Sequence, residues 1–270
     1  MKKLILILSV MVFAGCEKIV NIDLKDAPPR LVIDASIIWQ KGTTGNLQTI
    51  KLTTSTGYFQ TQIPKVTGAT VTITNSANTV FNFIEVSNTG NYVCNNFKPV
   101  LNERYTLTVT YNNQTYKADE VLTPTPEINE IEQRNDLGFN SDEIGIKINF
   151  NDFANQNNFY LFNFVVPSKV FPEYQVLDDQ FNQGSKMSWL YSDTALKIND
   201  KLTLTLFGIS KPYYNYMNII IKNTGSGAGN PFQSPPANAR GNILNLNNPN
   251  DFVYGYFSLS ESDQKEYVIR

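Results

Sequence analysis

The sequence of 270 residues contains no histidine and only two cysteines, Cys16 and Cys94. Without histidine there is no Ser-His-Asp triad, no Cys-His pair, no imidazole ligand for zinc and no imidazole general base. A disulfide is not expected, because Cys16 has another use that is described below. Cys94 lies in an apolar, strand-like stretch, so we predict a small buried thiol rather than a reactive one.

The chain also lacks a strong excess of charge, with 22 basic and 24 acidic residues. Nucleic-acid binding needs a basic patch that neutralises phosphates, so we expect no nucleic-acid partner. Adjacent Asp142 and Glu143 would point to opposite faces of a strand, and the stretch 178–184 (DDQFNQG) departs from calcium-loop spacing. We predict a hairpin turn at 178–184, no catalytic residue, no metal site and no cofactor. An acid-dependent hydrolase stays open, because sequence alone does not pair distant carboxyl groups.

The first sixteen residues, MKKLILILSVMVFAGC, carry the clearest targeting pattern in the chain. Two lysines precede an apolar stretch that ends in Gly15-Cys16, and this stretch is much shorter than the about 20 residues that span a membrane. The pattern predicts a lipoprotein signal peptide at 1–15 and lipidation of Cys16. An ordinary secretory signal with a chance cysteine is the alternative.

Lipidation of Cys16 would attach the rest of the chain to a membrane, normally through more than one acyl chain. Residues 16–30 carry several charges and end in Pro28-Pro29, so we predict a tether. Glu17 follows the cysteine, and we therefore expect the outer membrane, with the cell surface favoured over the periplasmic face.

Alternating apolar and polar residues predict an all-β protein. The segments 69–74 and 105–111 alternate with threonine, which is typical of antiparallel strands with one dry face. Further strands of a first, immunoglobulin-like or prealbumin-like sandwich over 31–124 are predicted at 31–38, 48–53, 79–86, 91–94 and 115–121.

Two closely spaced prolines at 123–126 (TPTP) predict a domain boundary. A second β domain over 125–270 is predicted from strands at 143–150, 159–166, 202–207 and 252–259. Within it, 210–223 has a serine N-cap candidate, an early proline and helical spacing of apolar residues, which predict one short helix. The following residues, 225–240, are rich in glycine and proline and predict a long loop.

Aromatic residues cluster around the predicted helix and loop. Exposed aromatic side chains on a rigid scaffold are common in carbohydrate and protein recognition, although core packing is the alternative for each of them. The candidate ligand- or partner-binding residues are Trp189, Tyr191, Tyr213, Tyr214, Tyr216 and Phe232.

Several stretches occur in an order that resembles an uncharacterised family of Bacteroidetes outer-membrane lipoproteins. They are CEKIVNIDL, LVIDASI, VTGATVTIT, TGNYV and YTLTV in the first half, and NDFANQNNFYLF, DDQFNQG, NPFQSPPANARGNI and YGYFSLS in the second. The resemblance implies lipid anchoring in the outer membrane and genes beside TonB-dependent receptors. It implies no catalytic residues.

Two functional hypotheses follow. The first is a non-catalytic accessory or ligand-capture protein of a TonB-dependent uptake system, with the receptor as a partner. The alternative is a structural or adhesive cell-surface lipoprotein, and an enzyme ranks third because histidine is absent.

Overall fold

A computed structural model describes residues 28–57, 60–134, 144–180, 182–224 and 238–270. Several predicted features lie outside the described residues. They are the signal peptide 1–15, Cys16, most of the tether, the pair Asp142-Glu143 and Phe232. The described part contains one helix, α1 (Lys211–Thr224). Within the described ranges, no helix has the length and apolar character needed to cross a membrane.

The rest of the regular structure consists of strands, which confirms the all-β prediction. In chain order they are β1 (Leu31–Gln40), β2 (Gln48–Thr54), β3 (Thr70–Asn75), β4 (Val80–Val86), β5 (Asn91–Cys94), β6 (Arg104–Tyr111), β7 (Gln114–Val121), β8 (Ile128–Arg134), β9 (Gly145–Asn151), β10 (Phe159–Val165), β11 (Glu173–Asp178), β12 (Lys186–Ser192), β13 (Lys201–Ile209), β14 (Leu244–Asn245) and β15 (Tyr254–Val268).

The first sandwich is built from β1 to β7, together with β14 and the first half of β15. One sheet has the order β15-β1-β2-β5-β4 and the other has the order β4-β3-β6-β7-β14. Strand β4 belongs to both, because its first half pairs with β3 and its second half with β5. The core contains Ile33, Tyr92, Cys94 and Tyr105, all almost fully buried, which confirms the buried thiol.

In the second sandwich, a four-stranded sheet, β11-β10-β13-β15, packs against a three-stranded sheet, β12-β9-β8. Alternate residues of β10 (Tyr160, Phe162 and Phe164) point into this core, where they meet Phe150 and Tyr191. The stacked pair Phe164 and Tyr191 has ring centroids 3.9 Å apart. This core is aromatic, and its rings lock the two sheets together.

Strand β15 is shared by the two sandwiches. Its first half runs parallel to β1, from Val32 opposite Tyr254 to Gln40 opposite Ser262, and its second half is antiparallel to β13. The predicted strand 252–259 therefore extends to Val268, and one pair in the antiparallel sandwiches is parallel. Ile243, Val253, Phe257 and Leu259 are buried in the first core, so residues 243–259 complete the first sandwich although they follow the predicted boundary.

The linker at 123–126 packs along β15. Thr123 forms a parallel bridge with Ser260, and a Cβ atom at Gly208 would lie 1.9 Å from the Pro124 carbonyl oxygen. Glycine is needed there because any side chain would displace the linker.

Two buried carboxylates of β15 hold the same junction. Glu261 accepts a hydrogen bond from the Thr125 amide at 2.9 Å and forms an ion pair with Lys41 at 3.1 Å. Asp263 accepts a hydrogen bond from the Ile128 amide at 2.7 Å. Buried charges need such partners. Because Thr125 and Ile128 lie where the chain enters the second sandwich, these bonds fix the position of the backbone there.

The stretch between β11 and β12 is not the hairpin turn that we predicted. Strand β11 pairs with β10 in one sheet, whereas β12 pairs with β9 in the other, so this stretch crosses between sheets. Its acidic residues secure the crossing: Asp178 accepts a hydrogen bond from Tyr214, and buried Asp179 accepts one from Asn158.

Candidate functional site

An open groove of about 810 Å³ lies on the second sandwich, and we call it the helix groove. One wall is the C-terminal half of α1, and the other is the edge formed by β11 and the residues before it. It is lined by Lys169, Phe171, Pro172, Glu173, Tyr174, Gln175, Ser192, Asp193, Thr194, Met217, Ile220, Ile221 and Thr224.

The helix wall follows from helical periodicity. Met217, Ile220, Ile221 and Thr224 stand at spacings of three and four residues, which place them on one face of α1. Met217 is buried against the sheet, whereas the two isoleucines are half-buried. The groove therefore has an apolar wall on a rigid element.

The opposite wall contains an exposed aromatic side chain. Phe171 is 79% exposed and is followed by Pro172, at the point where the chain enters β11. A phenylalanine this exposed gains little from folding, so it is available for contact with a partner.

The polar end of the groove is a cluster of paired charges. Lys169 forms ion pairs with Asp193 and with Glu173, the latter at 3.3 Å. The hydrogen bond to Asp193 raises the pKa of Lys169. Burial works to raise the pKa of Asp193, but hydrogen bonds from Lys169 and the Ala195 amide outweigh it and lower that pKa. Both groups are therefore charged at neutral pH.

Two of the predicted binding residues are core residues instead. Tyr191 is fully buried, and burial together with the nearby carboxylates of Glu173 and Asp193 raises the pKa of its hydroxyl. Trp189 is half-buried, stacks on Phe162 at 6.0 Å and donates a hydrogen bond to Gln175 at 2.7 Å. The predicted surface role is wrong for Tyr191, because its ring is used in sheet-to-sheet packing.

The three tyrosines of α1 attach the helix to the sheet. Tyr213 and Tyr216 both lie against the ring of Tyr256, at centroid distances of 4.7 and 4.8 Å. Burial raises the pKa of Tyr213 to about 12. None of the three lines the helix groove. They instead hold α1, which forms one wall of the groove, against the sheet.

Tyr214 lies at a separate, smaller pocket of about 270 Å³. Its ring packs against Phe159 at 5.1 Å, and its hydroxyl donates a hydrogen bond to Asp178 at 3.0 Å. Lys211 lies 6.0 Å above the Phe159 ring at the same place. Tyr214 is thus a predicted aromatic residue that lines a pocket.

A buried polar cluster stands beside this pocket. Asn158 donates hydrogen bonds to both Asp152 and Asp179, and Tyr160 donates one to Asp152. Burial and the charge of Asp152 raise the pKa of Asp179. Across the described ranges, no three His, Cys, Asp or Glu side chains form a group that could hold a metal ion.

A family model described as a domain of unknown function (DUF4249) matches residues 17–266. The chain belongs to this DUF4249 family. No curated protein matches the DUF4249 chain. The family assignment brings no catalytic residue with it.

Three solved structures resemble the DUF4249 chain weakly. A DUF4785 family protein from Legionella pneumophila has 10% identity and a TM-score of 0.27, with 66% of this chain and 52% of that chain covered. The DUF4249 chain thus spans about half of that protein. A two-domain fibronectin type III segment of chicken tenascin has 10% identity and a TM-score of 0.23, with 59% and 83% covered.

The FN1–FN3 domains of chicken CNTN1 have 12% identity and a TM-score of 0.27, with 68% of the DUF4249 chain and 63% of that chain covered. TM-scores this low carry no argument about function.

Sequence reasoning missed the β11 wall of the DUF4249 chain. One signal was present: Phe171 stands beside Pro172, as Phe232 stands beside Pro231 in the predicted loop. The contribution of Ile220 and Ile221 was hidden, because three consecutive isoleucines at 219–221 also fit a strand.

Proposed function

We propose that this chain is a lipid-anchored, non-catalytic accessory protein of an outer-membrane uptake system, and that the helix groove captures a ligand or docks on a TonB-dependent receptor. The observation that carries the proposal is the groove itself. It combines an apolar helix wall, an exposed phenylalanine and a charged end on a rigid scaffold.

The charge states in the groove favour binding over chemistry. A nucleophilic lysine needs a lowered pKa, whereas the pKa of Lys169 is raised. A general acid needs a raised pKa, whereas that of Asp193 is lowered. Such a permanently charged pair orients a bound group without exchanging protons with it.

The anchoring part of the proposal is supported by the sequence at 1–16. The chain enters the first sandwich at residue 30, and the helix groove belongs to the second sandwich.

The test is affinity capture of the lipidated chain from detergent-solubilised outer membrane of its own organism, with partners identified by mass spectrometry. We expect a TonB-dependent receptor in stoichiometric amount. The double variant Phe171→Ala/Ile220→Ala should lose it, whereas the control Val170→Ala/Leu190→Ala should retain it, because these two exposed residues do not line the groove.

Failure to recover a receptor with the unaltered chain would contradict the proposal. Recovery of the chain in surface fibres instead would favour the structural or adhesive alternative.

A further inference from the structure

The helix groove lies against an open edge of the long sheet. Strand β11 is the last strand of that sheet and pairs with β10 on one side, and among the described residues no strand pairs with its other side. In an antiparallel strand, residues alternately direct their N–H and C=O groups to one neighbour and then to the other. About half of the backbone groups of β11 therefore face outward without a partner strand.

On both sides of the second sandwich, hydrogen bonds that involve side chains join the two sheets. On the far side, the Gln133 side chain and the Arg270 backbone exchange two hydrogen bonds, which tie β8 to the end of β15. On the groove side, Trp189 donates a hydrogen bond to Gln175, and Lys169 donates one to Asp193. The described backbone edges of β11 and β12 remain unpaired with each other.

The residues around β11 allow one further strand to pair with this edge and limit aggregation through it. The strand is six residues long, Pro172 precedes it and Glu173 starts it. Short length, proline and charge are the features that limit indiscriminate edge pairing. They also limit the register in which another strand could align.

We propose, building on the function proposed above, that the groove binds an extended polypeptide segment of the partner, which adds to β11 as a further strand. Backbone hydrogen bonds to β11 hold such a segment, and every second side chain enters the groove between Phe171 and the isoleucines Ile220 and Ile221. This assigns the recognition mode as well as the site.

Charge at the groove end defines one further feature of the segment. Two carboxylates, Glu173 and Asp193, share the single cation of Lys169, which leaves one negative charge. An incoming strand with a lysine or arginine near the Glu173 end balances it. The segment is thus apolar at alternate positions and basic at one end.

The first test uses the free chain. Residue-resolved amide hydrogen exchange should show alternating behaviour along β11, with inward amides protected by β10 and outward amides exchanging rapidly. If all amides of β11 were protected, another part of the chain would already cover the edge and the proposal would be wrong.

The second test measures binding of a peptide. A random twelve-residue library displayed on phage is selected on the purified mature chain, and the best peptide is synthesised with an N-methyl group at each backbone nitrogen in turn. We expect alternate N-methyl peptides to bind at least about tenfold more weakly, with the intervening ones nearly unchanged. Phe171→Ala/Ile220→Ala should weaken binding similarly, and Val170→Ala should not.

An N-methyl profile without alternation, or the absence of any selected peptide that depends on Phe171, would overturn strand addition. If receptor capture still succeeded in that case, the proposed function would stand and only the recognition mode would fall. If alternation were seen but no receptor were captured, strand addition would stand and the proposed function would fall.

Discussion

The Ser210 hydroxyl donates a hydrogen bond to Oε2 of Glu120 at 2.9 Å, which joins the start of α1 to β7 of the first sandwich. The same hydroxyl accepts a hydrogen bond from the Tyr213 amide at 3.3 Å and so caps the helix, as its sequence predicted. One side chain therefore sets both where the helix begins and where it lies. The helix that forms one wall of the groove begins at this contact.

Ser210→Ala should destabilise the chain by about 1–2 kcal/mol, because it removes the cap and leaves a buried carboxylate with one partner fewer. Urea unfolding at neutral pH measures the change. Ser185→Ala is the matched control, since this serine is exposed and should change stability by less than about 0.5 kcal/mol. Equal effects of the two variants would contradict the role given to Ser210.

Glu120 should make stability depend on pH. Burial raises its pKa above 4.5, against hydrogen bonds from the Val121 amide and Ser210. The folded state then holds the proton more tightly than the unfolded state, so stability falls as pH rises from about 4 through the raised pKa. The unfolding free energy of the wild type minus that of Glu120→Gln should fall over this range. A difference that stays constant from pH 4 to pH 7 would exclude the effect.

Cys16→Ala should abolish lipid attachment and lipoprotein-type processing. Metabolic labelling with a palmitate analogue, followed by fractionation, measures both. The variant should be unlabelled and either released or retained as an uncleaved precursor. Label on the variant would show that the lipid is attached elsewhere.

A fragment of residues 28–123 should not fold alone, because it lacks Ile243, Val253, Phe257 and Leu259 of its own core. The loss of one buried large side chain costs about 2–5 kcal/mol, so the loss of four costs about 8–20 kcal/mol, which is as large as the stability of a typical domain. Circular dichroism with thermal melting tests this. A peptide of residues 241–264 added in trans should restore a cooperative transition, whereas the same peptide with Phe257→Asp should not.

Tyr191→Ala should reduce stability, whereas Phe171→Ala should reduce partner binding. Tyr191 is fully buried against Phe164, so its removal should cost about 3–5 kcal/mol of unfolding free energy. Phe171 is largely exposed, so its removal should change stability by less than about 0.5 kcal/mol and yet weaken partner binding. Comparable stability losses would show that Phe171 packs in the core.

The strands with one dry face were predictable because their side chains alternate. The segments 69–74 and 105–111 correspond to β3 and β6 within one residue, and the predicted helix 210–223 is α1 shifted by one residue. These elements bury apolar residues at a regular period, and that period is written in the sequence. The same rule applied to Met187, Trp189 and Tyr191 in β12 would have placed all three on one buried face.

The second half of β15, SESDQKEYV, was not predictable in this way. Its polar residues 260–263 are buried, where the backbone amides of Thr125 and Ile128 bind Glu261 and Asp263, and no local pattern encodes such distant partners. The helix groove was hidden for the same reason. It exists because residues 169–175 and 217–224, far apart in the chain, meet at one edge.

The sharing of β15 also determines how the chain would respond to mechanical force. Tension between residue 30 and the second sandwich would pull the start of β1 against the far end of β15. These strands are parallel over the register from Val32–Tyr254 to Gln40–Ser262, so their hydrogen bonds would be loaded together in shear instead of opening one by one. The path from tether to groove would therefore resist extension, and rupture would require most of that ladder to fail at once.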